Sequence, residues 1–325
     1  MTVHTSQTRQ RSRRNDKLAT AVVQYSSGGQ RDAAVCSYLA AALADNTLRA
    51  YRCDLKHFIA WGGTIPASPE CVATYVARHA LLLSSATLSR RVVAIGRAHS
   101  ARGLPSPTTA ELVRATLRGI RRKRGSAQRQ VAPLQKADVV RLVSGLQGIR
   151  GARDKALLLI GFAGAFRRSE LVSLDIEDVE FVAEGAAIRL RRSKTDQEGR
   201  GRIVAIPYVR GRHCPCRALQ AWLQISGIET GPLFRGVSRH DQVLSDRLTA
   251  QSVALIIKQR AAAVGFDPRR YSGHSLRAGF ATSAAQSGAP SMSIRAQTGH
   301  QSDATLQRYI RNSQLFADNP NRKVW

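Results

Sequence analysis

The stretch RRKRGSAQRQVAPL, Arg121 to Leu134, divides the chain. It opens on four consecutive basic residues, shows no apolar periodicity and carries Pro133 near its end. Such a segment reads as a charged linker, here over residues 121–133. It falls well inside a chain of 325 residues, a length that favours two domains over one.

On its N-terminal side the pattern is helical throughout. NTLRAYRCDLKHFIAWG begins at an Asn46 or Thr47 cap, repeats Leu48, Tyr51, Leu55, Phe58 and Ile59 at three- and four-residue spacings, and stops at Gly62-Gly63. SPECVATYVARHALLL, SSATLSRRVVAIGRAHSARG and TTAELVRATLRGIRR repeat that logic. Residues 31–120 are therefore expected to form a bundle of four or five helices, with Arg49, Arg52, Lys56, Arg90, Arg91 and Arg97 on basic outward faces. Residues 1–30 form a basic, polar arm, expected to be disordered and without the apolar core of a secretion signal.

On the C-terminal side elements mix. QKADVVRLVSGL and RDKALLLIGFAGAF are helical, and RRSELVSL continues after a bend. AAIRLRRSK and GRIVAIP alternate apolar and polar residues around TDQEGR, which predicts a β-hairpin with a long turn. Four helical segments follow from residue 249, broken at Gly265, Gly288-Ala289-Pro290 and Gly299. The expected fold class is mainly α: an N-terminal helical bundle, then an α-rich domain over 134–325 with a small antiparallel β-sheet.

Fifty Lys and Arg oppose 22 acidic residues, a formal charge of +28. So large an excess implies a polyanionic partner, because each phosphate neutralised releases a condensed counterion. No run of eighteen apolar residues appears, so no membrane span is expected. Five cysteines, an odd number, suggest a reduced, cytoplasmic protein. HCPC at 213–216 looks like a metal fragment, but no second pair follows; a loop entering the helix RALQAWLQISG accounts for it better.

The chemistry-bearing residues lie in the second half. In GHSLRAG, His274 and Arg277 are three apart and share a helix face, a pair suited to a phosphate. In GAFRRSELVSL, Arg167 stands three before Glu170; an arginine within an apolar helix needs a carboxylate or a bound anion, and Glu170 is placed to orient it. Lys194 lies where the first hairpin strand enters its turn. His300 and Tyr309 could meet at one site only if a helix begins after His300, since nine residues of continuous helix would separate them by roughly 13 Å. The chain shows no P-loop and no carboxylate cluster for paired magnesium ions. A metal-free mechanism must neutralise charge with cations and attack with a side chain.

GAFRRSEL, SKTDQEG, HSLRAGFAT and TGHQSDATLQRYIR, in that order and with nine residues from His300 to Tyr309, resemble the motif series of the tyrosine recombinases, the phage-integrase family that includes lambda integrase and Cre. The resemblance implies a SAM-like core-binding domain at the N-terminus and a catalytic domain after it. The short N-terminal region implies a simple recombinase of the Cre kind.

By that resemblance Tyr309 attacks a scissile phosphate, leaving a 3′-phosphotyrosyl link and a free 5′-hydroxyl. Arg167 and Arg277 clamp the non-bridging oxygens, Lys194 protonates the departing 5′-oxygen, His274 shuttles protons and His300 hydrogen-bonds the phosphate. Arg121, Arg122 and Lys123 would lie along the DNA backbone. The covalent link conserves bond energy, so no ATP, metal or cofactor is expected. The implied partner is double-stranded DNA with an inverted-repeat site. On it four protomers would exchange strands through a Holliday junction, with a monomer or weak oligomer when free and accessory proteins as further partners. A bacterial, phage or plasmid origin and a nucleoid-associated location are implied as well. The tail NSQLFADNPNRKVW, with Leu315, Phe316 and Trp325, is expected to dock on a neighbouring protomer.

A non-enzymatic regulator is the rival of another class, since FATSAAQSGAPSMSIRAQTG has helix–turn–helix spacing with Gly288 at the turn. A type IB topoisomerase is the rival enzyme.

Overall fold

The computed structural model describes residues 42–125, 131–191 and 201–300, together with Tyr38. The basic arm, Lys194, Tyr309 and the C-terminal tail lie outside the described residues. The chain divides into two compact units, residues 1–129 and 130–325.

In the first unit, α1 (Asp45–Ala60) turns Leu48, Leu55 and Phe58 inward. Its N-cap is Ala44, ahead of the expected Asn46 or Thr47, and makes no side-chain cap bond. Ser68 and Ser84 do cap α2 (Pro69–Arg78) and α3 (Ser85–Ser100), each hydroxyl accepting from a backbone N–H three residues on. Helix α4 (Glu111–Arg124) buries Val113 and packs Leu117 and Ile120 on the same core, which is built from Leu55, Phe58, Val72, Val76, Leu88, Val92 and Ile95.

Two basic assignments change here. Arg91 does not face outward. It is buried, its guanidinium donating to the Tyr75 hydroxyl at 2.8 Å and lying 3.5 Å from Asp54. The cause is helical phase: Arg91 falls on the stripe of Leu88, Val92 and Ile95. Arg90 is half exposed but spends Nε (2.7 Å) and Nη2 (3.0 Å) on the buried Asp54 carboxylate. Arg49, Arg52, Lys56 and Arg97 are exposed as expected. The second change is that Arg121, Arg122 and Lys123 are exposed on the last turn of α4, not in a linker. Apolar contacts of Leu117 and Ile120 carry the helix into that charge run.

The second unit opens with an extended segment, residues 131–135, followed by α5 (Lys136–Val143) and α6 (Gly148–Ala163). After α7 (Arg168–Ser173) come the strands β1 (Val179–Val182), β2 (Gly185–Leu190) and β3 (Arg202–Pro207), an antiparallel meander in the order β1-β2-β3. The register Gly185↔Pro207 to Leu190↔Arg202 is the expected hairpin. Strand β1 went unread because it is four residues long and half exposed. Helix α8 (Pro215–Ser226) then leads to a second two-stranded ribbon, β4 (Arg235–Val237) with β5 (Val243–Arg247), which has no fully buried face and so no alternation to read.

Helices α9 (Ala250–Ala263), α10 (Ser275–Gln286) and α11 (Ser291–Thr298) complete the described chain. The fourth expected helical segment, after Gly299, lies outside the described residues. Trp222 anchors the core, its indole N–H donating to the Leu233 carbonyl at 2.8 Å. Buried Asp154 on α6 accepts from Arg153 at 2.6 Å and from Arg260 of α9 at 2.5 Å, tying the two helices by a charge cluster. Cys214 is the N-cap of α8 and Cys216 donates its thiol to the Ile206 carbonyl at 3.1 Å, so HCPC is the loop that enters this helix. Burial and the neighbouring Cys214 push the Cys216 thiol up to about 11. Among the described residues no helix is long and apolar enough to cross a membrane.

Candidate active site

Arg167 is set by a tight reversal. Helix α6 ends at Gly164, where a Cβ would stand 2.2 Å from the ring of the buried Phe166. Ala165 then takes φ 50, a left-handed conformation uncommon for alanine. The reversal makes Arg167 the N-cap of α7 rather than an arginine within an apolar helix, which corrects the expectation. Glu170 behaves as expected. One carboxylate oxygen accepts the Arg167 backbone N–H at 2.9 Å, and the other pairs with its guanidinium.

The same turn reaches α10. Arg277, only 1% exposed, donates Nη1 to the Ala165 carbonyl at 2.9 Å, so one distorted residue orders both arginines. His274 is the N-cap residue of α10, its backbone N–H received by the Ser272 hydroxyl at 3.2 Å. One edge of His274 is open to solvent, yet partial burial, then Arg277 and Arg167, hold its pKa below the ordinary 6.5.

His300 follows the left-handed C-cap of α11, Gly299, and its Nδ1 lies 2.8 Å from the Thr298 hydroxyl. That hydroxyl gives its one proton to the Ile294 carbonyl at 2.7 Å, so it receives from Nδ1–H and the ring's lone pair falls on Nε2. Burial lowers the His300 pKa to about 4, with Arg277, Arg167, His274 and Arg202 adding to the effect in that order. A neutral ring is thus ringed by cations. This shared field is the sign that Arg167, His274, Arg277 and His300, separated by as many as 133 positions, converge. Lys194 and Tyr309 complete the expected set in sequence only.

Arg202 was missed. It begins β3 on the strand's inward face, two residues before buried Val204. A basic residue in phase with buried strand positions was the available signal.

The Phage integrase family profile matches residues 133–315. An integrase/recombinase xerD homolog of Selenomonas ruminantium is 41% identical over 294 residues, spanning 87% of this chain and 86% of that protein. The chain belongs to the phage integrase family. It is a tyrosine recombinase, an enzyme that breaks and rejoins DNA strands. A tyrosine recombinase XerC of Syntrophus aciditrophicus is 33% identical over 172 residues, half of each chain. In fold the recombinase resembles the XerH site-specific recombinase in its post-cleavage complex with palindromic difH (TM-score 0.63, 15% identity, 94% of this chain and 95% of that one). It also resembles a lambda integrase tetramer bound to a Holliday junction (TM-score 0.60, 16% identity, 90% of this chain and 75% of that one). The helix–turn–helix formed by α10, Gly288 and α11 therefore serves this fold. Its first helix carries Arg277.

Proposed function

We propose that this recombinase cleaves DNA with Tyr309, leaving a 3′-phosphotyrosyl bond and a 5′-hydroxyl that later attacks the phosphotyrosyl phosphorus of a partner strand and releases the tyrosine held there. Arg167 and Arg277 hold the non-bridging oxygens, an effect worth ~10²–10³ in rate per well-placed donor. Glu170 fixes Arg167. Lys194 gives its proton to the departing 5′-oxygen, and His274 exchanges protons around the phosphate. With its pKa held down to about 4, His300 is neutral near pH 7 without a bound anion. Burial is the first cause of that lowered pKa and the arginines the next; a bound phosphodiester opposes the arginine part and so favours a proton on the ring facing the phosphate. The observation that carries this reading is the convergence of two guanidiniums and two imidazoles around the Gly164–Phe166 turn.

Domain roles follow from surface charge. The first unit, with Arg49, Arg52, Lys56 and Arg97 exposed, binds the DNA backbone beside the cleavage site, and the second unit does the chemistry. The functional assembly is a tetramer on paired inverted-repeat sites, strands being exchanged two at a time through a Holliday junction, inside a bacterial cell.

On a nicked suicide substrate the wild-type chain should form a covalent adduct, and Tyr309→Phe should bind the DNA equally well and form none. An adduct with Tyr309→Phe removes Tyr309 from its role. Lys194→Ala should be rescued by a 5′-phosphorothiolate, whose sulfur leaves without a proton; equal impairment on both substrates reassigns the lysine.

A further inference from the structure

Arg202 has no part in the reading above, yet its contacts are specific. Its Nη1 donates to the carbonyls of Gln297 at 2.8 Å and Ala296 at 3.3 Å, at the end of α11. A helix leaves its last carbonyls without intrahelical donors, and a cation there also meets the negative end of the helix dipole. The guanidinium lies close against Gly299. A Cβ at that position would stand 3.0 Å from Nε and 3.1 Å from Cζ, and φ 64 already favours glycine there. The grip is returned from the helix. The Gln297 side-chain amide donates to the Ala205 carbonyl on β3 at 3.2 Å and to the Ala163 carbonyl, the last residue of α6, at 2.9 Å. The Arg202 Nη2 is buried with no hydrogen-bond partner among the described residues. Burial lowers the Arg202 pKa, attraction to Glu170 opposes that, and repulsion from Arg167 adds to it, which places Arg202 within the field of the cleft.

From this two-way clasp we infer that Arg202 is a positioning residue of the recombinase: it locks β3 to the α11–Gly299 turn and so holds His300 against Arg167, Arg277 and His274. The inference rests on the proposed contact between His300 and the scissile phosphate. β3 follows Lys194 in the chain and α11 precedes Tyr309, so the clasp joins the described elements that stand next in sequence to the remaining proposed groups. Arginine suits the task because its planar fork reaches two carbonyls while lying flat on glycine; lysine offers one compact ammonium.

The test is single-turnover cleavage of a nicked suicide substrate by the full chain, with gel-shift affinity measured in parallel. Arg202→Ala should slow adduct formation about tenfold to a hundredfold, the scale of a small displacement of a catalytic group, and leave affinity unchanged. Arg202→Lys should recover part of the rate. The loss should vanish when His300 is already alanine, because Arg202 acts through it. Gln297→Ala cuts the other half of the clasp with Arg202 intact and should repeat the pattern more weakly, which keeps the inference testable if Arg202→Ala does not fold. No loss in either variant, or losses that multiply with His300→Ala, overturns it. A wild-type chain that forms no adduct overturns the reading of the site and this inference with it. An active wild type with multiplied losses overturns the inference alone.

Discussion

Replacing Gly279 by alanine sets two physical effects against each other. Inside an open helix the change gains ~1 kcal/mol. Gly279, however, lies where α10 meets the extended segment 131–135. A Cβ there would stand 1.7 Å from the Leu134 carbonyl oxygen and 2.3 Å from its carbonyl carbon. An ordinary carbon–oxygen approach needs ~3.3 Å, so helix and segment must part by roughly 1.5 Å. The segment cannot simply drift. Leu134 is fully buried, its N–H donates to the Ser275 carbonyl at 3.0 Å, and Ala132 donates to Arg270 at 2.8 Å. Overpacking of this kind costs ~1–3 kcal/mol and a weakened backbone bond about 1 more, which outweighs the propensity gain. The shift also moves Arg277, two positions away, and misplacement by ~1 Å costs on the order of 10²-fold in rate. Chemical unfolding alongside Gly119→Ala is the decisive comparison, since Gly119 sits within α4 with nothing inside 4 Å of its would-be Cβ. Gly119→Ala should stabilise by about 1 kcal/mol while Gly279→Ala destabilises and loses cleavage. If both variants gain stability and Gly279→Ala cleaves at the wild-type rate, the close approach of α10 to Leu134 is refuted.

Asp154→Ala should cost about 3–5 kcal/mol by urea unfolding, because it leaves the Arg153 and Arg260 charges uncompensated; removing Arg153 as well should return part of that. Burial and the neighbouring cations hold the folded His300 down to about 4 against 6.5 ordinarily, so between those values the unfolded chain takes up a proton that the folded chain refuses. Stability should therefore fall as pH drops through that window, and His300→Gln should flatten the slope; an unchanged slope contradicts the half-buried, cation-ringed ring. Arg91→Ala should destabilise the first unit, because Asp54 and Tyr75 lose a buried partner, whereas Arg49→Ala should leave stability alone and reduce the salt dependence of DNA binding by about one unit of slope. A salt-slope loss with Arg91→Ala and none with Arg49→Ala would reverse the two assignments.

The residues differ in how much of their role the sequence displays. Arg167, His274, Arg277 and His300 carry recognisable chemistry in short motifs, and their meeting at one phosphate follows from the resemblance of those motifs to the tyrosine recombinases rather than from their spacing. The Ala165 turn that aims two of them is invisible, because alanine gives no sign of a left-handed backbone. Arg91 and Arg202 were both open to a phase argument: one lies in step with Leu88 and Ile95 on a helix, the other in step with Val204 and Ile206 on a strand. At Arg91 the charge suggests an outward face where periodicity decides for the inward one, and Arg202 gives no signal except its phase. The reverse error ended α4 too early, at a basic run that Ile120 carries into the helix. The β4–β5 ribbon had neither alternation nor a buried face to announce it.

The state of His300 fixes the ledger of formal charge in the cleft. With both imidazoles unprotonated near neutrality, three guanidiniums stand against the single carboxylate of Glu170, leaving two positive charges among the described residues. A resting phosphodiester brings one negative charge, and the five-coordinate phosphorus reached on attack gathers roughly a second. On the proposed mechanism, in which Lys194 and a proton regained by His300 add to these charges, intact DNA leaves a positive surplus that is met only when charge gathers at phosphorus on attack.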